Sequence, residues 1–368
     1  MRIHTLLALA LVMFASAAVL GQSAPASQSK PPDTSTPAGK QGPDQKTAPE
    51  KSAAPGQDTS VAPIEAPTGQ EPSVQTFRKS VGLVNILFNV KDKHGRLIPR
   101  LEKDQFELLE DGKPQTIKFF SAQTNLPLTL GLLIDTSESM RLALPEEQVV
   151  ASEFLHQVIN EKDLAFVLSF DIRADLLQDL TSDFRLLRAG LEKAHTNWDP
   201  SGAIPGVGDG PVPTANRPKG TVLFDATWLA ASEVLGQQAG RKPMVIVTDG
   251  VDVGSKIKIR EAIEAAQKAD VVCYVILFSG SEGSNYFDMK QLTEQTGGRT
   301  ISVPRPDKMR DAFAQISEEL RSQYSLSYSS SNDIRTGGFR KVEIKSKDGY
   351  KIQARKGYYP PAELAQKP

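Results

Sequence analysis

Five apolar runs punctuate the middle of the chain: "LTLGLLID", "LAFVLSF", "MVIVTDG", "VVCYVILF" and "RTISVP". Each has the length of a strand and little polar alternation, the pattern expected where both faces of a sheet are covered. Between them the period changes to that of helices. In "PEEQVVASEFLHQVIN", Pro145 and the acids Glu146 and Glu147 form a first turn, and Val150, Phe154 and Val158 share one face. "DFRLLRAGLEKA", "LFDATWLAASEVLGQQ", "KIREAIEAAQKA" and "DKMRDAFAQISEELRSQ" read the same way. Strand alternating with helix predicts an α/β fold, a doubly wound and mostly parallel sheet with right-handed crossovers.

The flanks have a different texture. In "VGLVNILFNV", Val84, Ile86 and Phe88 alternate with Leu83, Asn85 and Leu87, as in a strand with two distinct faces. "ELLEDGKPQTIKFF" predicts a hairpin turning at Asp111-Gly112, and "FRKVEIKSKDGYKIQARKGYY" another at Asp348-Gly349. Each flank is too short for a robust core of its own. Together they predict one small β-sandwich that the central region interrupts.

The amino-terminal part changes the picture again. "MRIHTLLALALVMFASAAVLGQ" has a basic head at Arg2, an apolar stretch from Leu6 to Leu20, then small residues, the layout of a secretory signal peptide cleaved after Gly21 or Ala17. The stretch is short for a span of ~20 residues, so no stable membrane anchor is expected after cleavage. Residues 22–76 hold 10 of the 25 prolines and no aromatic residue, a composition that cannot bury enough apolar surface to fold. The expected boundaries are a signal peptide over 1–21, a disordered tether over 22–76, a β segment over 77–126, the α/β domain over 127–322, a second β segment over 323–360 and a tail over 361–368. Export permits disulfides, but Cys273 is the only Cys and lies in an apolar run, where it behaves as a small hydrophobe. A net charge of −1 leaves no electrostatic footprint for nucleic acid. His94, His156 and His195 share no ligand spacing, which argues against zinc.

Ligands of doubly wound sheets sit beyond the carboxyl ends of the strands. At that position on the first central strand stands "DTSES", with Asp135, Ser137 and Ser139 at alternating places. Asp249 closes "MVIVTDG" at a second carboxyl end, and Thr221 opens the helix of "PKGTVLFDA" on the loop leading there. Two carboxylates and three hydroxyls at one sheet edge form a cage of hard oxygens, suited to Mg²⁺, or to Mn²⁺ or Ca²⁺, with water completing the sphere.

Asp-x-Ser-x-Ser after one strand, a distant Thr, and Thr-Asp-Gly after another resembles the von Willebrand factor type A (VWFA) domain and its metal-ion-dependent adhesion site. The resemblance covers the central region and implies metal binding by Asp135, Ser137, Ser139, Thr221 and Asp249. With β segments on both sides and a signal peptide, the whole chain resembles the exported bacterial VWFA-related acidobacterial domain family. The resemblance further implies adhesion to a protein partner that presents Asp or Glu. A Gly- and Pro-rich stretch, "TNWDPSGAIPGVGDGPVPTANRPKG", makes a long loop beside the site, either a contributor to partner choice or a passenger.

Rival readings fit less well. Alone, "DTSES" reads as a polar turn capping the next helix. A calcium EF-hand would place Asp135, Ser137, Ser139 and Glu146 at its positions 1, 3, 5 and 12, but Met140 stands where its sharp turn needs glycine. A hydrolase would need a nucleophile elbow or a Ser–His pair, and neither pattern is present. The reading is an exported, non-enzymatic binding protein, periplasmic or secreted. The alternatives are an envelope module whose metal only stabilises the fold, or a metal-dependent hydrolase.

Overall fold

The computed structural model describes residues 83–122, 126–196, 220–278, 284–332 and 338–360. The expected signal peptide, tether and tail, and most of the long loop (197–219), lie outside the described residues.

The amino-terminal flank forms β1 (Leu83–Lys91), β2 (Phe106–Glu110), β3 (Lys113–Gln115) and β4 (Ile117–Ala122). Val84, Ile86, Phe88 and Val90 of β1 point inward, as their alternation predicts. The turn at Asp111-Gly112 is a two-residue hairpin with both φ positive, 48° and 78°. That backbone matches the twist of the paired strands, and glycine adopts it freely.

The central region contributes β5 (Thr129–Asp135), α1 (Leu144–Val158), β6 (Leu164–Phe170), β7 (Ala174–Thr181), α2 (Phe184–Leu191), α3 (Leu223–Leu229), β8 (Lys242–Thr248), α4 (Ile259–Lys268), β9 (Val271–Phe278), α5 (Ser284–Thr296), β10 (Thr300–Val303) and α6 (Met309–Arg321). The sheet order is β10-β9-β8-β5-β6-β7, parallel except for β7. Both faces of the sheet are buried. Leu130, Leu132 and Ile134 of β5 pack under α1, α2 and α6, whereas Leu133 joins the core under α3, α4 and α5. Full burial of each such side chain stabilises the fold by roughly 1.5–3 kcal/mol. At Gly131 a Cβ would come within 2.7 Å of the Phe166 ring, so β5 needs glycine where it passes that side chain.

The carboxyl-terminal flank adds β11 (Tyr324–Ser329), β12 (Arg340–Ser346), β13 (Lys351–Ala354) and β14 (Gly357–Tyr358). Two four-stranded sheets result, β13-β1-β11-β4 and β14-β12-β2-β3, each mixing strands from both flanks. They enclose one core in which Phe88, Phe106 and Tyr324 are mutually in ring contact. This is the β-sandwich built from flanking segments that the sequence predicts. β4 and β11 are antiparallel neighbours with Ala122 opposite Tyr324, so the central region is inserted at the tip of what would otherwise be a hairpin.

Two expectations need correction. The turn at Asp348-Gly349 does not join paired strands: β12 pairs with β2 and β14, while β13 crosses the sandwich to pair with β1. One edge of β1 is already taken by β11, and its other edge offers β13 a full ladder. The helix expected over "LFDATWLAASEVLGQQ" is not continuous. After α3 it widens into a π-helical turn over Ala230–Val234, a shift that brings Ala230, Ala231 and Leu235 all into the core. Neither β7 nor α5 is among the elements the sequence predicts, and neither carries a strong period: β7 is a half-buried edge strand and α5 is largely polar.

Candidate metal centre

From β5 the chain moves to β6 on one side and later to β8 on the other, so the strand order reverses between β5 and β8. Their carboxyl ends are the topological switch point, where ligands of such sheets bind. Asp135 ends β5 there, and Asp249 follows Thr248 at the end of β8.

Asp135 is fully buried and held by two hydrogen bonds. Its Oδ1 accepts from the Ser137 N–H at 2.9 Å and its Oδ2 from the Thr248 hydroxyl at 2.5 Å. Thr248 Oγ1 in turn accepts from the Gly250 N–H at 2.9 Å. Gly250 has φ +78° and a Cβ there would lie 2.9 Å from Leu277, so this turn requires glycine. Burial pushes the Asp135 carboxyl up to about 7 against the pull of its hydrogen bonds, and the charge of Asp249 adds to the rise. A cation bound at this edge would offset that negative charge.

Ser137 and Ser139 flank the same turn with their hydroxyl oxygens 3.0 Å apart. The Asp249 carboxylate is oriented by the Val251 N–H, 3.0 Å from its Oδ1. Thr221 joins the group through the backbone. Its carbonyl accepts from Val253 N at 3.1 Å, and the next residue, Val222, donates to the Asp171 carbonyl at 2.7 Å just beyond β6. Asp225 and Asp252 serve the scaffold here: Asp225 Oδ1 accepts from Ile257 N at 2.8 Å, and Asp252 Oδ1 from the Ser255 hydroxyl at 2.5 Å. These bonds tie the loop after β8 to the start of α3.

All five sequence-predicted residues thus lie at one edge, and Asp135, Ser137 and Ser139 form a continuous hydrogen-bonded chain. Among the described residues no three His, Cys, Asp or Glu side chains gather as a metal cage. The set is instead rich in hydroxyls, with only two carboxylates, and such donors fit a hard divalent cation rather than zinc.

Two residues escaped the sequence reading. Thr248 is visible in the Thr-Asp-Gly motif, but its role in clamping Asp135 needs the strand pairing. Glu147 passes as an ordinary first-turn acid, yet it is fully buried and neither carboxyl oxygen has a hydrogen-bond partner. Burial, reinforced by the charge of Asp135, pushes its carboxyl well above the usual range. The signal was its spacing: Glu147 lies three residues before Val150 and seven before Phe154, on the apolar stripe.

No family model matches the chain, and no curated protein matches it. Among solved structures it is similar to the von Willebrand factor type A structure from Catenulispora acidiphila, at 9% identity over 78% of this chain and 76% of that one, with a TM-score of 0.44. It is also similar to the conserved hypothetical protein BatB from Bacteroides thetaiotaomicron, at 17% identity over 52% and 97% of the two chains, TM-score 0.40. A third likeness is to proximal thread matrix protein 1 from the mussel byssus with a zinc-occupied MIDAS motif, at 15% identity over 56% and 48%, TM-score 0.43. At these scores the likenesses add nothing to what topology and geometry already carry.

Proposed function

We propose that the chain is a VWFA-type binding protein, exported and non-enzymatic, whose carboxyl-edge site holds a divalent cation that engages an acidic residue of a protein partner. The observation that carries this reading is Asp135, buried and already oriented at the end of β5, with Ser137 and Ser139 in the turn that follows and Asp249 at the end of the neighbouring β8; Thr221, bonded through its backbone to the loop after β8, supports it. Asp135 and Asp249 would hold such a cation together with the neutral hydroxyls of Ser137, Ser139 and Thr221. With so few charged ligands it would keep positive character and offer a partner Asp or Glu a place to bind as a hard oxygen donor.

The surroundings favour a macromolecular partner. Leu142, just after Ser139, is 80% exposed, and Val253, hydrogen-bonded through its backbone to Thr221, is exposed as well. The first turn of α5 packs against the Asp249-Gly250 turn and carries Phe287, 69% exposed. Large apolar side chains around a polar centre are the anchors that protein interfaces use. Catalysis finds less support. His156 meets the Phe184 ring edge-on near the carboxyl end of α1, and His195 contacts the Lys193 carbonyl rather than a site hydroxyl.

Export rests on the first 21 residues, and no helix among the described residues is long and apolar enough to cross a membrane. The reading places the protein in the periplasm or outside the cell. Its test is partner capture from an envelope extract by wild type and Thr221→Ala, in Mg²⁺ and in EDTA. Capture should disappear with the chelator and weaken in the variant. Capture that survives both moves the binding surface elsewhere.

A further inference from the structure

Glu147 has no account within the five-residue site. It sits in the first turn of α1, its N–H donating to the Ala143 carbonyl at 2.9 Å, and its side chain faces the core at 0% exposure. Neither Oε1 nor Oε2 has a hydrogen-bond partner. A buried carboxylate without donors or a counter-ion is among the least tolerable groups in a protein interior. Where one persists, an ordered water or an ion usually explains it.

Its surroundings narrow the choice. Arg310 of α6, which reaches the same turn of α1, is engaged by the half-exposed Glu146 and Glu153. The charged neighbour that Glu147 does feel is Asp135, itself at 0% exposure with both oxygens already accepting protein hydrogen bonds. Glu147 stands in the turn of α1 that follows the Ser137–Ser139 turn, and Met140 and Leu144 between them pack in the same core cluster as Ile134, the residue before Asp135. A cation at the site would offset the charge of both acids.

We propose that Glu147 is a sixth member of the metal site, a positioning residue that stabilises the cation from the core side and accepts hydrogen bonds from a water in its coordination sphere. This rests on the metal reading of the five-residue site and extends it inward along α1. It also explains why an acid occupies an apolar register of that helix, where leucine would pack better in the absence of metal. Residues that hold metal-bound groups in this indirect way typically change affinity by about 10- to 100-fold when replaced.

The test is Mg²⁺ and Mn²⁺ titration by calorimetry on full-length wild type, Glu147→Gln and Glu147→Leu, with melting temperatures in EDTA. Glu147→Gln keeps the volume and removes the charge, so it serves if the leucine variant fails to fold. The expected result is a Kd raised about tenfold or more in Glu147→Gln, with a melting temperature in EDTA equal to or above that of wild type. A merely structural glutamate would move stability and leave metal affinity alone. Wild type that binds the metal, with Glu147→Gln binding within twofold of it, overturns this inference and leaves the five-residue site standing. Wild type that binds neither cation overturns the metal reading itself.

Discussion

The two flanks of the sandwich meet at a buried carboxylate. Glu110, in β2, is fully buried and accepts hydrogen bonds from the Tyr328 hydroxyl at 2.5 Å, Ser330 at 2.5 Å, Asn332 at 2.7 Å, Tyr358 at 3.1 Å and the Arg340 guanidinium at 3.3 Å. Every one of these donors comes from the carboxyl-terminal flank, more than two hundred positions away in the chain. Arg340 is itself buried, so Glu110→Ala leaves a buried cation without this carboxylate and several donors without an acceptor. Removing one member of such a pair costs about 3–5 kcal/mol, a large share of a typical total of ~5–15 kcal/mol. Glu110→Gln keeps the shape and an acceptor and should lose about 1.5–3 kcal/mol, the worth of a charged hydrogen bond. Urea unfolding at neutral pH, followed by far-ultraviolet circular dichroism, measures both. Replacing Arg340 by Met in the Glu110→Ala background should recover part of the loss. The carboxyl also titrates low: burial raises it, but hydrogen bonds from Ser330, Tyr328, Asn332 and Tyr358 outweigh that. Its contribution is therefore complete above the unfolded value of ~4.3 and is lost as pH falls through the folded one, so the gap between wild type and Glu110→Ala should narrow in acid. A Glu110→Ala protein within about 1 kcal/mol of wild type, the range of ordinary surface changes, would refute the argument.

The other predictions concern the metal edge. Saturating Mg²⁺ should raise the melting temperature of wild type, by the equivalent of ~2.7 kcal/mol at a hundredfold excess over Kd. Asp135→Ala should lose that response, and equal shifts in both proteins would count against the site. Phe287→Ala should weaken partner capture while leaving the Mg²⁺-dependent melting shift intact; an unchanged capture would remove α5 from the contact surface.

The strands of the central sheet were legible because burial on both faces writes itself as uninterrupted apolar runs, as in "VVCYVILF". The long amphipathic helices α1, α4 and α6 were legible for a similar reason: one face must be apolar. What the sequence concealed has physical causes too. β7 is an edge strand with one neighbour, so its residues are half-buried and show no clean period. The partner of β13 depends on which edge of β1 is open, which is decided by β11, not by the Asp348-Gly349 turn. The Asp-x-Ser-x-Ser and Thr-Asp-Gly spacings pointed to the carboxyl edge of the sheet, where the structure places Asp135 and Asp249, because a strand end is a local feature. The clamp from Thr248 to Asp135 spans 113 positions and follows only from β5 lying beside β8. Glu147 was hidden by its chemistry, since an acid in a first turn is favoured by the helix dipole and draws no attention.

The insertion of the central region at the tip of β4 and β11 has a mechanical consequence. Both crossings of the chain leave the sandwich side by side, where Ala122 faces Tyr324. A force applied to the central region pulls β11 from its Tyr324 end, and a force applied at Leu83 pulls β1 from the opposite end. The register between these strands runs from Leu83 opposite Ser329 to Phe88 opposite Tyr324. Tension along that line slides the two strands past each other, and because ladder hydrogen bonds lie across the strands, the six registered pairs resist together instead of parting in turn. Under load, the joint between central region and sandwich behaves as a clamp, not a zipper.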